Sequence, residues 1–214
     1  GAQRFYRDGS NHLAPRDSII LVNADQVHDG HSAAEGGWSY QAMYPTPELF
    51  DTIADELKGA RSGLPYFSDP VVHDPYMANQ TRQLFQVLHH SDSTLERETH
   101  LLHILAAIVQ RHGKSRVQLN DLGHEPVSIS RVREYLDVHF EENISIQTLA
   151  ALVDLNPFYL TRLFKHVVGL PPHAYQVQRR VQRAKKLIQC QMPLAEVAVQ
   201  CGFTDQSHLS RHFK

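Results

Sequence analysis

The sequence predicts an α+β chain, antiparallel β in its first part and all helix in its last. Three observations carry that prediction. Residues 1–45 hold short runs of β-branched and aromatic residues cut by turn clusters. Beyond residue 128 the apolar residues recur at helical spacing. The hexapeptide LTRLFK at 160–165 returns as LSRHFK at 209–214, with four of six letters unchanged.

The strand-like runs are RFY at 4–6, SIILV at 18–22 and WSYQAMY at 38–44. RDGSNH and AEGG separate them as turns, and Pro15 breaks the chain before the second run. Three or four short strands do not close a barrel, so further strands are expected before residue 1. A helix is expected over 47–58, with Pro47 at its first position and Leu49, Ile53 and Leu57 every four residues. Pro and Gly then punctuate 59–75 as a loop. Two helices follow, at 76–90 and 94–112. The first places Leu84, Val87 and Leu88 on one side. The second repeats Leu95, Leu102 and Val109 every seven residues, beside Leu101, Leu105 and Ile108. Such a wide apolar face suits packing on a barrel or on a second subunit.

Residues 113–128, GKSRVQLNDLGHEPVS, read as a linker between a part spanning 1–112 and a part spanning 129–214. Six helices are expected after it, at 129–141, 145–153, 157–167, 172–189, 194–200 and 205–214.

Composition narrows the function. With 42% hydrophobic residues, the 214-residue chain can bury a core. It has no apolar run long enough for a membrane span and no signal-peptide stretch, so a cytoplasmic protein is expected. Cys190 and Cys201 make no disulfide framework and are read as small buried residues in a reducing cytosol. The net charge of −2 conceals a division. From residue 155 onward nine Lys and Arg face two acidic residues, a net of +7, which leaves −9 on the rest. A basic segment of this kind points to a partner carrying phosphates.

The repeated hexapeptide lies inside a larger repeat. Ser145 caps one helix, then DLN makes a tight turn, then Asn156 and Pro157 start a second helix. The second copy runs from a helix at 194–200 through CGFT into a helix at Asp205, with Ala198 and Gly202 four apart. Ala150 and Asp154 hold the matching places in the first copy. Both units have the size of a helix-turn-helix, at 145–167 and 194–214. Leu160, Leu163 and Phe164 should face inward, with Thr161, Arg162 and Lys165 outward. Leu209 and Phe213 should face inward, with Ser210, Arg211 and Lys214 outward.

Residues 128–214 resemble the DNA-binding domain of AraC/XylS-type transcription regulators, two helix-turn-helix units bridged by one long helix. The bridge, expected at 172–189, carries YQVQRRVQRAKKLI at 175–188 and places Tyr175, Arg180, Val181, Ala184, Leu187 and Ile188 in the family's Y-x4-R-[IVL]-x2-A-x2-L-[LI] pattern. VGLPPHAY matches the short link into it. Asp154 replaces the usual turn Gly, and the family's R-x2-G-x-[TS]-P-x2-[YF]-R tail does not follow Lys214, so the chain is read as a fragment at both ends. The resemblance implies double-stranded DNA as partner. Base edges fall to Asn156, Phe158, Tyr159, Thr161 and Arg162 in one helix and to Gln206, Ser207, Ser210 and Arg211 in the other. Lys165 and Lys214 fall to phosphates.

Residues 16–30, RDSIILVNADQVHDG, are similar to the second motif of small cupin barrels, with Asn23 and Asp25 in place of Pro and Gly. With EGGWSYQAMYP after it, the segment is similar to the effector-binding domain of the same regulators. The full expectation is therefore a partial cupin-like antiparallel β-barrel with two dimerisation-type helices, followed by an all-α double helix-turn-helix domain. The resemblance implies a small-molecule effector, a sugar or other small metabolite. His28, Trp38 and Tyr40 are the pocket candidates. It also implies a homodimer built on Leu84, Leu88, Leu95, Leu102 and Val109, and it allows RNA polymerase as a further partner. Cupin enzymes use the residue matching His28 as a metal ligand, together with ligands from an earlier strand pair that this chain lacks. His28 and His31 are therefore read as structural or hydrogen-bonding; His100 and His103 share a helix face that could bind a metal, but the sequence shows no His–Cys or His–Glu cluster, and neither metal nor cofactor is assigned. The alternatives are a metal-dependent cupin enzyme with an attached helical domain, and a DNA-binding protein whose barrel only dimerises. The basic duplicated helices speak against the enzyme.

Overall fold

The structure is a computed structural model. It describes residues 2–7, 9–24, 26–33, 35–54, 56–58, 65–114, 118–119, 121–123 and 125–213. The chain forms two compact units, one of residues 1–89 and 100–120, the other of 90–99 and 121–214. Among the described residues no helix is long and apolar enough to cross a membrane.

The first unit opens with β1 (Gln3–Arg7), β2 (Ser10–Ala14), β3 (Ser18–Ile20) and β4 (His28–Ser32). β1 pairs antiparallel with β2 and with β4, giving the order β2-β1-β4, and Phe5 lies opposite both His12 and Gly30. The segment RDGSNH, expected as a turn, supplies the start of β2, and β4 lies where no strand is expected. Both strands are polar edge strands, SNHLA and HDGHS, so neither carries the alternating apolar signal. Residues 38–44, expected as a strand, form none. Tyr40 and Tyr44 are exposed there, so β-propensity found no partner strand to realise it.

Next come α1 (Pro47–Ala54), β5 (Leu57–Lys58), β6 (Val71–His73), α2 (Pro75–His90), α3 (Thr94–His112) and β7 (Gln118–Leu119). The helix expected through residue 58 stops at Ala54, because Leu57 and Lys58 pair with β7 inside the stretch read as linker. β3 pairs with β6, with Ile19 opposite Val72.

Two polar clamps hold this unit. Buried Arg7 donates to the carbonyls of Leu21 (3.1 Å) and Phe67 (3.0 Å), while the Asn23 side chain bonds both the N–H and the carbonyl of Phe67. Asp74 caps α2 by accepting from Met77 N (3.0 Å), and it also receives Arg111 (2.9 Å) and His112 (3.1 Å) from the end of α3. The Met77 bond, helped by Arg111, holds the Asp74 carboxyl below its ordinary range.

The proposed dimer face is corrected by burial. Leu84, Leu95, Leu102 and Val109 are 0, 0, 2 and 5% exposed, and Leu88 is half-buried. A side chain already packed within its own chain has no surface left for a second copy.

The second unit contains the first turn of α3, then α4 (Pro126–Val138), α5 (Ile146–Val153), α6 (Pro157–Val168), α7 (Pro172–Gln189), α8 (Leu194–Gln200) and α9 (Gln206–Arg211). α4 starts and ends three residues before the expected 129–141, because Pro126 takes a first-turn position where its missing N–H costs nothing. Residues 92–98 dock by side-chain bonds. Thr204 Oγ1 donates to Asp92, Thr94 N to Asn143 Oδ1 (2.8 Å) and Ile146 N to Glu98 (2.7 Å). Burial raises the Glu98 carboxyl.

α9 is shorter than the expected 205–214. Asp205 is its cap, and it ends at Arg211. Phe213, expected inside, is 40% exposed. Cys190 is exposed as well, and only Cys201 is buried as expected.

Candidate nucleic-acid interface

Each half of the repeat is built by the same local chemistry. Ser145 caps α5 by accepting from Thr148 N (3.0 Å). α5 ends with Asp154 in the left-handed region, φ 52° and ψ 47°, and Leu155 N donates back to Ala150 O (3.1 Å). Asn156 Oδ1 then caps α6 through Phe158 N (2.8 Å) and Tyr159 N (3.2 Å). In the second copy Gly202 takes φ +73°, and Phe203 N donates to Ala198 O (2.9 Å). Asp205 caps α9 through His208 N (2.7 Å). The repeated motif is therefore also a repeated backbone pattern. Ala150 and Ala198 are buried, which lets each helix pair close on a small side chain.

The two recognition-type helices differ in what they leave outside. On α9, Gln206, Ser207, Ser210 and Arg211 are exposed and line one open concavity. Ser210 Oγ donates to Gln206 O (2.8 Å), as an exposed helical Ser commonly does. Lys214 lies outside the described residues.

On α6 the expected reader set is corrected. Phe158 is 2% exposed, so it offers no surface to a thymine methyl. Thr161 is 6% exposed and donates its hydroxyl to Phe158 O (2.8 Å) rather than facing outward. Tyr159 is partly buried, with its hydroxyl accepting from Gly123 N (2.8 Å) and directed at Glu125. The cap uses Asn156 Oδ1. The reason is packing: α6 lies against α4, α5 and α7, whereas α9 packs chiefly on α8. Lys165 is exposed, and Arg162 is half-buried with Cζ 5.9 Å from the Phe158 ring centre. Exposed His166 lies one turn beyond Arg162.

The basic charge is redistributed too. Arg180, counted with the cations, is 6% exposed. It donates to the carbonyls of Phe140 (2.6 Å), Glu141 (3.4 Å) and Glu142 (2.9 Å). Desolvation lowers its pKa, offset in part by Cys201 and Glu141. Gln176, 2% exposed, donates to Phe140 O (3.1 Å) and Glu142 O (2.9 Å). Neither role is expected from the sequence, although Gln176, Arg180, Ala184 and Leu187 share the inner stripe of α7 at a helical spacing legible in it. Arg179 pairs with Asp137 at 2.7 Å. Arg183, Lys185, Lys186 and Arg211 remain exposed, alongside Lys165.

In the first unit His28 is exposed, its Nδ1 3.1 Å from Gln26 O. The rings of Trp38 and Tyr40 stack at 6.2 Å with a 10° interplanar angle. Tyr40 is 67% exposed and therefore no core filler. Trp38 Nε1 is buried without a hydrogen-bond partner among the described residues.

Two family profiles match the chain. One, the AraC-like ligand binding domain, covers residues 1–105, and the other, a helix-turn-helix domain, covers 149–214. The HTH-type transcriptional regulator YbfI of Bacillus subtilis is 26% identical over 96% of this chain and 77% of its own length. The arabinose operon regulatory protein of Escherichia coli is 26% identical over 94% of this chain and 68% of its own. The HTH-type transcriptional activator RhaS of an Enterobacter species is 24% identical over all of this chain and 72% of its own. These are regulators, which sets aside the cupin-enzyme alternative. With the ligand-binding profile over its first half and the helix-turn-helix profile over its capped, duplicated helices, the chain belongs to the AraC family of DNA-binding transcriptional regulators.

Proposed function

We propose that the protein is a sequence-specific regulator in which α6 and α9 enter successive major grooves on one face of the duplex, about 34 Å apart. The ligand-binding role is assigned to the first unit and the DNA-reading role to the second. The observation that carries this reading is the matched pair of turns, each returning a bond to an alanine carbonyl and each followed by a side-chain-capped helix. Arg162 and Arg211 occupy the same place in the two helices and act as guanine readers, with Gln206, Ser207 and Ser210 completing the α9 set. Lys165 and Lys214 hold phosphates. Because α9 exposes a fuller polar face, its block should be the more sharply specified of the two.

The effector pocket is assigned to the side of Trp38 and Tyr40. A stacked aromatic pair beside an unpartnered indole N–H suits a flat ring or sugar carrying an acceptor. The same reading makes the protein cytoplasmic and homodimeric and admits a contact with RNA polymerase. A dimer would use a face other than Leu84, Leu95, Leu102 and Val109.

Selection of bound duplexes from a random pool tests the reading. Two short blocks about one helical turn apart are expected, and a single block would refute it. Arg162→Ala should cost about 1–3 kcal/mol on the selected site and relax one position in one block, and Arg211→Ala should do so in the other. Thermal shift against sugars and ring acids tests the pocket, since a ligand of the native state raises the unfolding midpoint.

A further inference from the structure

We infer that Arg180 is a positioning residue that sets the phase between the two recognition helices. The inference rests on the double-groove reading above. A bridging helix alone fixes distance but not orientation, because each helix-turn-helix can swing about its junction with the bridge. The helix packing of the unit runs from α6 to α7 and from α7 to α8, so a swing at either junction would move one recognition helix against the other. The C-terminal junction is a turn with Gln191 at φ 59°, followed by Pro193.

A second connection bypasses the bridge. The turn at 140–142, which leads from α4 toward α5, meets the turn of the second helix-turn-helix directly. A Cβ on Gly202 would collide with the backbone oxygen of Glu141, and Glu141 Cα would lie 2.7 Å from it. Arg180 sits at that contact. Its guanidinium binds the three carbonyls of 140–142, and its Cζ lies 5.9 Å from the ring centre of Phe203, the residue after Gly202. Phe203 is 3% exposed and belongs to the core of Ala184, Leu187, Val197, Ala198, Cys201 and Leu209. Arg180 thus holds the α4–α5 turn with its donors and the core of the second helix-turn-helix with its flat face. Gln176 repeats the carbonyl grip one turn earlier. A guanidinium buried against carbonyls is costly to desolvate, and an apolar side chain would fill the site more cheaply. Its fork of fixed donors explains the choice, because it defines where three carbonyls must lie, as a flexible ammonium does not.

The experiment measures affinity of the full chain for a series of duplexes in which the two selected blocks are moved apart or together by one to three base pairs. The wild type should show a single optimum, with affinity falling roughly tenfold for one base pair of displacement. Arg180→Lys should flatten or shift that profile to less than about a threefold fall, as expected of a point charge replacing a fork. A variant that merely lost stability would lower affinity equally at every spacing, so a profile parallel to the wild type's overturns the inference. Gln176→Met gives a second variant at the same grip, with the same expectation. Should neither variant fold, spin labels at positions 166 and 199 in a Cys190→Ser chain decide the matter: one narrow distance in the free protein supports the lock, and a broad distribution overturns it. A wild type that selects only one block fails the double-groove reading itself, a result distinct from two blocks with an unaltered variant profile.

Discussion

Asn156 shows how one side chain can be claimed for two tasks and assigned one by geometry. Its Oδ1 takes the N–H groups of Phe158 and Tyr159, two of the four donors that every helix start leaves unpaired. Asn156→Ala should therefore cost about 0.5–2 kcal/mol of stability in chemical denaturation, and Asn156→Asp should cost almost none. Equal losses in both variants would contradict the cap. Asp154 makes a related point. An aspartate tolerates the left-handed turn that Gly202 adopts freely, so the first helix-turn-helix keeps its geometry without glycine. Gly202 has a second constraint that no turn rule reveals, the backbone of Glu141 pressed against the place of a Cβ.

The two recognition-type helices share a motif but not a stability. α6 has twelve residues, five of them buried, and ends in a left-handed Gly169. α9 has six residues and buries only Leu209. Amide exchange should therefore be faster in α9 than in α6, and equal protection would contradict this. Acidity should widen the gap. His212, just past α9, has its pKa lowered by burial first and then by His208, with Arg180 and Arg211 acting the same way and Glu96 opposing. A lowered histidine favours the neutral form in the folded state. Its contribution is present above the ordinary value near 6.5 and is lost as pH falls through the lower folded value. The protection of the α9 amides, with the intrinsic pH dependence of exchange divided out, should fall from pH 7.5 to 5.5, and His212→Gln should remove that fall.

Across the whole molecule, charge is divided rather than balanced, with +7 after residue 154 against −9 before it. Not all of the positive charge can reach DNA, since Arg180 is interior and Arg179 is paired with Asp137. Affinity should fall steeply with salt, and Lys165→Ala should shallow the log–log slope by about one, the change for one phosphate contact. An unchanged slope would remove Lys165 from the phosphate set.

Much of the helical part was legible in the sequence because its signals are local: caps at Ser145, Asn156 and Asp205, Pro at helix starts, and periodic apolar residues. The β part was less so. SNHLA and HDGHS become strands only because β1 lies beside them, and WSYQAMY stays unpaired because no strand does. The candidate site divides along the same line. The residue types and the register of the repeat follow from chain chemistry. Which of those side chains are exposed depends on neighbours distant in sequence. Phe158 and Thr161 are buried because α6 is packed on several sides, and Ser207 and Ser210 are exposed because α9 is not. Arg180 is turned inward by the carbonyls of a turn about forty residues away. Local periodicity reports which residues share a face, but not what that face meets, because burial is a property of pairs of elements.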